Sequence, residues 1–167
     1  MMTADELIAA LDLRPLPLEG GYYRETYRSA DLLPAGALPR YPTPKAAATA
    51  IYYLLTPDTF SALHRLPTDE VFHFSLGGPV QMLQLLPDGG GQVLTLGPAV
   101  WAGERLQVVV PRGVWQGSAL LPGSPFALLG TTMAPGFDFA DYEAGDRDAL
   151  TRQYPAFADH IRRLTRA

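Results

Sequence analysis

The stretch from Leu63 to Gly78, LHRLPTDEVFHFSLGG, holds two of the chain's three histidines, together with Arg65, Asp69 and Glu70, among leucines and phenylalanines. Imidazole and carboxylate groups a few residues apart can hold a divalent metal, or act as a base and its orienting partner. Read as two strands joined by the turn PTD, the stretch points successive side chains to opposite faces. His64 and Leu66 then share a face, with Arg65 opposite. Glu70, Phe72 and Phe74 share a face, with Val71 and His73 opposite. A hairpin would set His64 across from Glu70. The plain alternative is a solvated histidine and glutamate at a strand edge. His160 stands beside Arg162 and Arg163 in a helical tail and reads as a surface residue.

A second stretch, LQVVVPRGVWQGSAL, sets a Pro-Arg-Gly turn between two apolar strands. Gln116 interrupts the apolar run and can face the same cavity, while Trp115 points the other way. The plain alternative is a hairpin with an amide bonded to backbone. In EGGYYRE, Glu19, Tyr23 and Arg24 are candidates for a pocket rim, and the two glycines suit a tight turn. PGFDF is expected to bury Phe137 and Phe139, with Asp138 bonding a loop.

These residues need elements to carry them. Thr3 and Glu6 form a capping-box pattern, and Leu7, Ile8 and Leu11 give a helical stripe, so a short helix is expected at about residues 3–11. Pro15 and Pro17 end it. GYYRETYRS, AAATAIYYLLT, FSALHRL, EVFHFSL, VQMLQLL, QVLTLG, LQVVV, VWQGSALL and FALLGTTM read as short strands between Pro, Gly and Asp breaks. A Pro- and Ala-rich loop is expected from Asp31 to Lys45. A helical tail at about residues 146–165 is divided at Pro155. Many short strands with little helix between them predict an all-β fold, an antiparallel jelly-roll β-barrel with short N- and C-terminal helices.

The chain has 167 residues, 47% apolar and 18% charged, which suits a single globular domain with a core at about residues 15–143. A net charge of -4 and a pI near 5.3 argue against bulk attraction to nucleic acid or an anionic membrane. With no cysteine, a metal would need His, Asp, Glu or Gln, and a cytoplasmic setting is expected. The start MMTADELIAALDL lacks the basic opening and long apolar run of a signal peptide, and no segment reaches the roughly 20 apolar residues that span a bilayer.

The two central stretches resemble the metal motifs of the cupin superfamily. Its first motif runs Gly, five residues, His-x-His, three or four residues, Glu, six residues, Gly. His64, Glu70 and Gly77 match it, while Leu66 stands at the second histidine and Asp58 at the leading glycine. The second motif runs Pro-x-Gly, two residues, His. Pro111 and Gly113 match, and Gln116 stands at the histidine. The blocks PLEGGYYRETYRS, TAIYYLLT, HRLPTDEVFHF, LGPAVWAGERLQVVVPRGVWQGSAL and MAPGFDFADYE together look like one group of small single-domain cupins, a domain-of-unknown-function family. The resemblance covers about residues 7–143. It implies a jelly-roll barrel, a homodimer and a pocket at one barrel end.

Four functional readings follow. One is a small polar ligand in the barrel, acted on as in a sugar or sugar-nucleotide epimerase or isomerase. There His64 takes a proton beside a carbonyl, Glu70 orients it, Tyr53 returns the proton, and Arg65, Arg112 or Arg24 binds an anionic group, with Gln116 and His73 as further ligand contacts. A second is a metal enzyme, a dioxygenase or isomerase, with a divalent ion on His64, Glu70 and Gln116. A third is a small-ligand binder without chemistry. The fourth is a protein acting chiefly through association, with GYYRETY in a dimer face.

Overall fold

The computed structural model describes residues 2–166. Helix α1 (Ala4–Ala10) starts at Thr3, whose side chain accepts from the Glu6 N–H while the Glu6 carboxylate accepts from the Thr3 N–H, so both legs of the expected capping box form. The strands follow in chain order: β1 (Arg14–Pro15), β2 (Tyr22–Arg28), β3 (Leu32–Leu33), β4 (Lys45–Ala46), β5 (Thr49–Leu55), β6 (Phe60–Arg65) and β7 (Glu70–Gly77). After them come β8 (Val80–Leu85), β9 (Gly91–Leu96), β10 (Gln107–Val110), β11 (Trp115–Leu120), β12 (Ala127–Met133) and β13 (Glu143–Ala144). The chain then enters α2 (Arg147–Gln153) and α3 (Ala158–Arg163), with a 3-10 turn at Pro155–Phe157 between them. Pro155 has no N–H to continue α2, so it opens the new turn instead.

Two antiparallel sheets face one another as a jelly-roll barrel. One has the order β1-β2-β5-β12-β7-β10, the other β13-β6-β11-β8-β9. Alternation fills the space between them. Tyr53 and Leu55 of β5, Phe72 of β7, Met82 of β8 and Leu129 of β12 point inward and are almost fully buried. Leu54 and Leu128, the outward neighbours, pack under Leu7 of α1 and Leu13. On the other sheet the outward residues Leu63, Leu83, Leu85 and Trp115 are covered by Leu150, Tyr154, Ile161 and Leu164 of the C-terminal helices.

Three expectations are corrected. The Asp31–Lys45 loop carries the short ladder of β3 with β4. Phe139 is 45% exposed and Phe137 half-buried, the two rings meeting edge to face at 5.0 Å, while Asp138 caps the Ala140 N–H as a loop bond. Most important, β6 and β7 are not a hairpin. β6 pairs with β11 and β13, and β7 pairs with β12 and β10, so the chain changes sheets at Pro67–Asp69. That corner is pinned to the Pro111–Gly113 turn, where Asp69 Oδ1 accepts from the Arg112 N–H and the Leu66 carbonyl accepts from the Gly113 N–H, both at 2.8 Å.

Candidate functional site

Because β6 and β7 lie in opposite sheets, His64 and Glu70 face each other across the barrel interior. Gln116 on β11 is the register partner of His64 on β6. A shift in that register, from Gln116 opposite His64 to Ser118 opposite Ser61, inserts one extra residue in β6. The bulge turns Ser61 and His64 to the same inward face although they are three positions apart.

Glu70 is 7% exposed and accepts a 2.6 Å hydrogen bond at Oε2 from the Gln116 side-chain amide. Burial pushes its carboxyl above the ordinary range and the charge of Glu19 pushes it further. His64, Gln116 and the Thr131 hydroxyl pull the other way. Glu19 lies in the turn before β2. Its Oε1 accepts from Ser61 Oγ at 2.7 Å, and its Oε2 lies 3.8 Å from His64 Nε2. His64 Nδ1 is 2.8 Å from the Ala62 carbonyl, which holds a proton on Nδ1 and turns Nε2 toward Glu19. Tyr142, brought alongside by β13, stacks on the imidazole at 4.9 Å with planes 19° apart. Burial, aided by the Glu19 charge, raises the pKa of its phenol.

The turn that carries Glu19 is held from three sides. Tyr53 donates to the Gly20 carbonyl at 2.9 Å, and the Ala62 N–H donates to the Glu19 carbonyl at 2.9 Å. Arg166, just past α3, donates to the Leu18 and Glu19 carbonyls at 2.5 and 3.2 Å. Leu18 itself sits at φ 65 and Gly20 at φ 104, a backbone path that needs such anchoring.

A cavity of about 470 Å³ opens beside this cluster, within the range of small-molecule sites. Glu19 and Glu70 line it, with Tyr23, Leu66, Phe137 and Phe139 among its walls. Its rim holds Glu25, Asp138 and Arg28, and Arg28 grips both Glu25 carboxylate oxygens while donating to the Phe137 carbonyl. Four carboxylates therefore face this space, with one guanidinium that is already paired.

The sequence-derived site residues divide in two. His64, Glu70, Gln116 and Tyr53 lie in or behind the interior cluster. The cavity wall itself is carboxylate. His64, 1% exposed, stands behind Glu19, and the Tyr53 hydroxyl is given to backbone, where burial and the Glu19 charge push its pKa well up. Arg24, Arg65 and His73 are corrected, because strand alternation sends them outward. Arg24 lies over the Tyr52 ring at 5.6 Å. Arg65 covers Trp115 at 4.6 Å and forks onto Glu143 at 2.7 and 2.8 Å. His73 bonds Thr132 and Gln107. Ser61, Thr131, Tyr142 and the Arg28–Glu25 pair were missed. Tyr142 left a trace in the sequence within the PGFDFADYE block, as did Glu25 and Arg28 within PLEGGYYRETYRS.

The donor set does not fit a resident divalent ion. Among the described residues no three His, Asp or Glu side chains converge as ligands. Leu66 fills the second histidine position with a hydrocarbon, and the Gln116 amide nitrogen, which cannot ligate, is the atom turned to Glu70.

The fold is the jelly-roll barrel the sequence pointed to, and its interior holds a cavity walled by Glu19 and Glu70. Residues 5–145 match the family described as Cupin superfamily (DUF985), and the chain belongs to it. It is similar to a hypothetical protein from Leishmania major at 31% identity, covering 99% of this chain and 100% of that one with a TM-score of 0.89. It is similar to protein SO0799 from Shewanella oneidensis at 34% identity, covering 99% of each with a TM-score of 0.88. Uncharacterized protein YML079W of Saccharomyces cerevisiae is 34% identical over 74% of this chain and 66% of its own length, so the chain spans just under two thirds of that relative. At the level of fold alone, a Bacillus subtilis oxalate decarboxylase with Mn(II) centres matches at 15% identity and a TM-score of 0.54, covering 92% of this chain and 38% of that one. Among the described residues, no helix is long and apolar enough to cross a membrane.

Proposed function

We propose that the barrel cavity binds a small neutral polyhydroxylated molecule and moves a proton next to its carbonyl, as a sugar epimerase or isomerase does. The observation that carries this reading is the Glu19–Glu70 carboxylate pair on the wall of a 470 Å³ cavity. Glu70 has its carboxyl raised toward neutrality by burial and by Glu19, which is how a carboxylate becomes an effective general base. Glu70 takes the proton from the hydroxyl-bearing carbon beside the carbonyl, leaving an enediolate, and returns it to the former carbonyl carbon while the hydroxyl proton passes to the former carbonyl oxygen, which yields the isomeric sugar. His64 is a positioning residue that, with Ser61, fixes Glu19. With Glu25 paired to Arg28 and Asp138 facing Lys45, the wall carboxylates Glu19 and Glu70 disfavour a phosphate or nucleotide, so the ligand class narrows from sugar nucleotides to neutral sugars. Hydroxyls bond the carboxylates, and sugar C–H faces meet Phe137 and Phe139.

The test is NMR of a monosaccharide panel in deuterium oxide with wild type and Glu70→Gln. Wild type should wash deuterium into one C–H of one sugar, and Glu70→Gln should lose that exchange by about 100-fold or more while still binding. Arg65→Ala and His73→Ala, which alter the outer faces, should exchange as wild type. Binding without exchange in wild type would reduce the protein to a ligand binder. Loss of exchange in Arg65→Ala or His73→Ala would move the site elsewhere.

A further inference from the structure

We propose a second ligand site on the outer face of the β6–β11–β8 sheet, for a small molecule with an apolar body and one carboxylate. The C-terminal helices cover only part of this face. Beyond α3 a cavity of about 580 Å³ remains, and none of its lining residues is shared with the barrel cavity. The two lie on opposite sides of one sheet, because Leu83 and Ala119 point outward where Gln116 and Ser118 point inward.

The floor of this outer cavity is hydrocarbon: Phe60, Leu83, Ala119 and Leu164. Phe60 and Ala119 are only partly buried by the helices packed there, so the floor keeps apolar surface for another occupant. Turns at 57–59 and 121–124 form two walls, and α3 forms a third. His160 and Arg163 reach the cavity from α3, spaced so that both lie on one helix face. Arg162 pairs with Asp159, Arg147 bonds Thr165, and Arg166 bonds the Leu18 and Glu19 carbonyls, while Arg152 of α2 lies outside the cavity lining. Arg163 has no hydrogen bond or ion pair among the described residues. An unengaged guanidinium beside an apolar floor is complementary to a carboxylate on a hydrocarbon or aromatic body. Asp58 stands in the opposite wall and turns the acid head away from itself, toward α3.

Octanoate is the probe, followed by backbone amide shifts in wild-type protein, with octanamide as its uncharged analogue. Saturable shifts are expected at residues 57–60, 119–124 and 160–164. Arg163 is exposed, so Arg163→Glu leaves the fold in place, and it should weaken octanoate at least tenfold while leaving octanamide unchanged. Asp58→Asn should tighten octanoate a few-fold. Ala119→Phe, which fills the floor, should abolish both ligands. Shifts confined to residues 49–51 and 131–133 of the barrel interior, shifts that never saturate, or an Arg163→Glu protein that binds octanoate as wild type would each overturn the proposal. The barrel reading stands or falls separately, since the sugar-exchange assay does not touch this face.

Discussion

Replacing Gly20 with alanine tests how tightly the turn bearing Glu19 is built. Gly20 sits at φ 104, and a Cβ placed on it would lie 2.5 Å from the Phe60 carbonyl oxygen and 3.0 Å from Arg166 Nη2. Gly103 is the control: it has φ 87 and nothing within 4 Å of its Cβ position. Both variants carry the left-handed penalty, about 1–2 kcal/mol for an L-residue with a Cβ. Only Gly20→Ala also carries the clash. Restoring an ordinary contact of 3.4 Å needs a shift of about 0.9 Å against β6 backbone, which cannot yield without breaking its ladder. That shift loosens the Tyr53 bond to the Gly20 carbonyl and the Arg166 bonds beside it, at about 0.5–1.5 kcal/mol each. Gly20→Ala should therefore lose about 3–5 kcal/mol in urea unfolding and Gly103→Ala about 1–2 kcal/mol. In thermal melts the difference of about 2–3 kcal/mol corresponds to roughly 4–12 °C for a chain of this size. Equal losses in the two variants would refute the packed turn described here, and with it the fixed position of Glu19.

Two further outcomes follow from the interior cluster. Glu70 has a folded pKa raised above its ordinary value of 4.5, so it binds its proton more tightly folded than unfolded. Its contribution is fully present below pH 4.5 and is lost as pH rises through the folded value, so Glu70→Gln should flatten the decline in unfolding free energy above that pH. A parallel decline in both proteins would show that Glu70 is not the perturbed group. Replacing Leu66 and Gln116 together by histidine supplies, with His64 and Glu70, the three-His, one-Glu donors that the wild type lacks. Near-stoichiometric zinc or manganese in the double variant, absent from the wild type, is expected by elemental analysis. Metal bound equally by the wild type would show that the present donors suffice.

The strands were legible because alternation and Pro or Gly breaks are local signals, and nine of them appear where the pattern put them. The hairpin joining His64 to Glu70 was not legible. A three-residue turn between two strands looks the same whether the chain folds back or crosses to another sheet, and only pairing with β11 and β12 decides it. The inward set of β7 and the outward aim of Arg65 and His73 followed from period two. Ser61 was hidden by the bulge, which breaks that period by one. Glu19 and Tyr23, read from EGGYYRE as rim candidates, do line the cavity, but the contacts of Glu19 with Ser61, His64 and Arg166, all far along the chain, were not legible.

The bond from Arg166 to the turn at Leu18 ties together positions 148 residues apart. A ribosome adding about 5–20 residues per second needs roughly 7–30 s to make that intervening length. During that interval the strands that line the barrel have emerged, while the turn bearing Glu19 still lacks its guanidinium clamp. The clamp on that turn therefore waits for α3 and Arg166 to be made and docked. A nascent chain can present a zipped barrel well before the turn bearing Glu19 is fixed in the cavity wall.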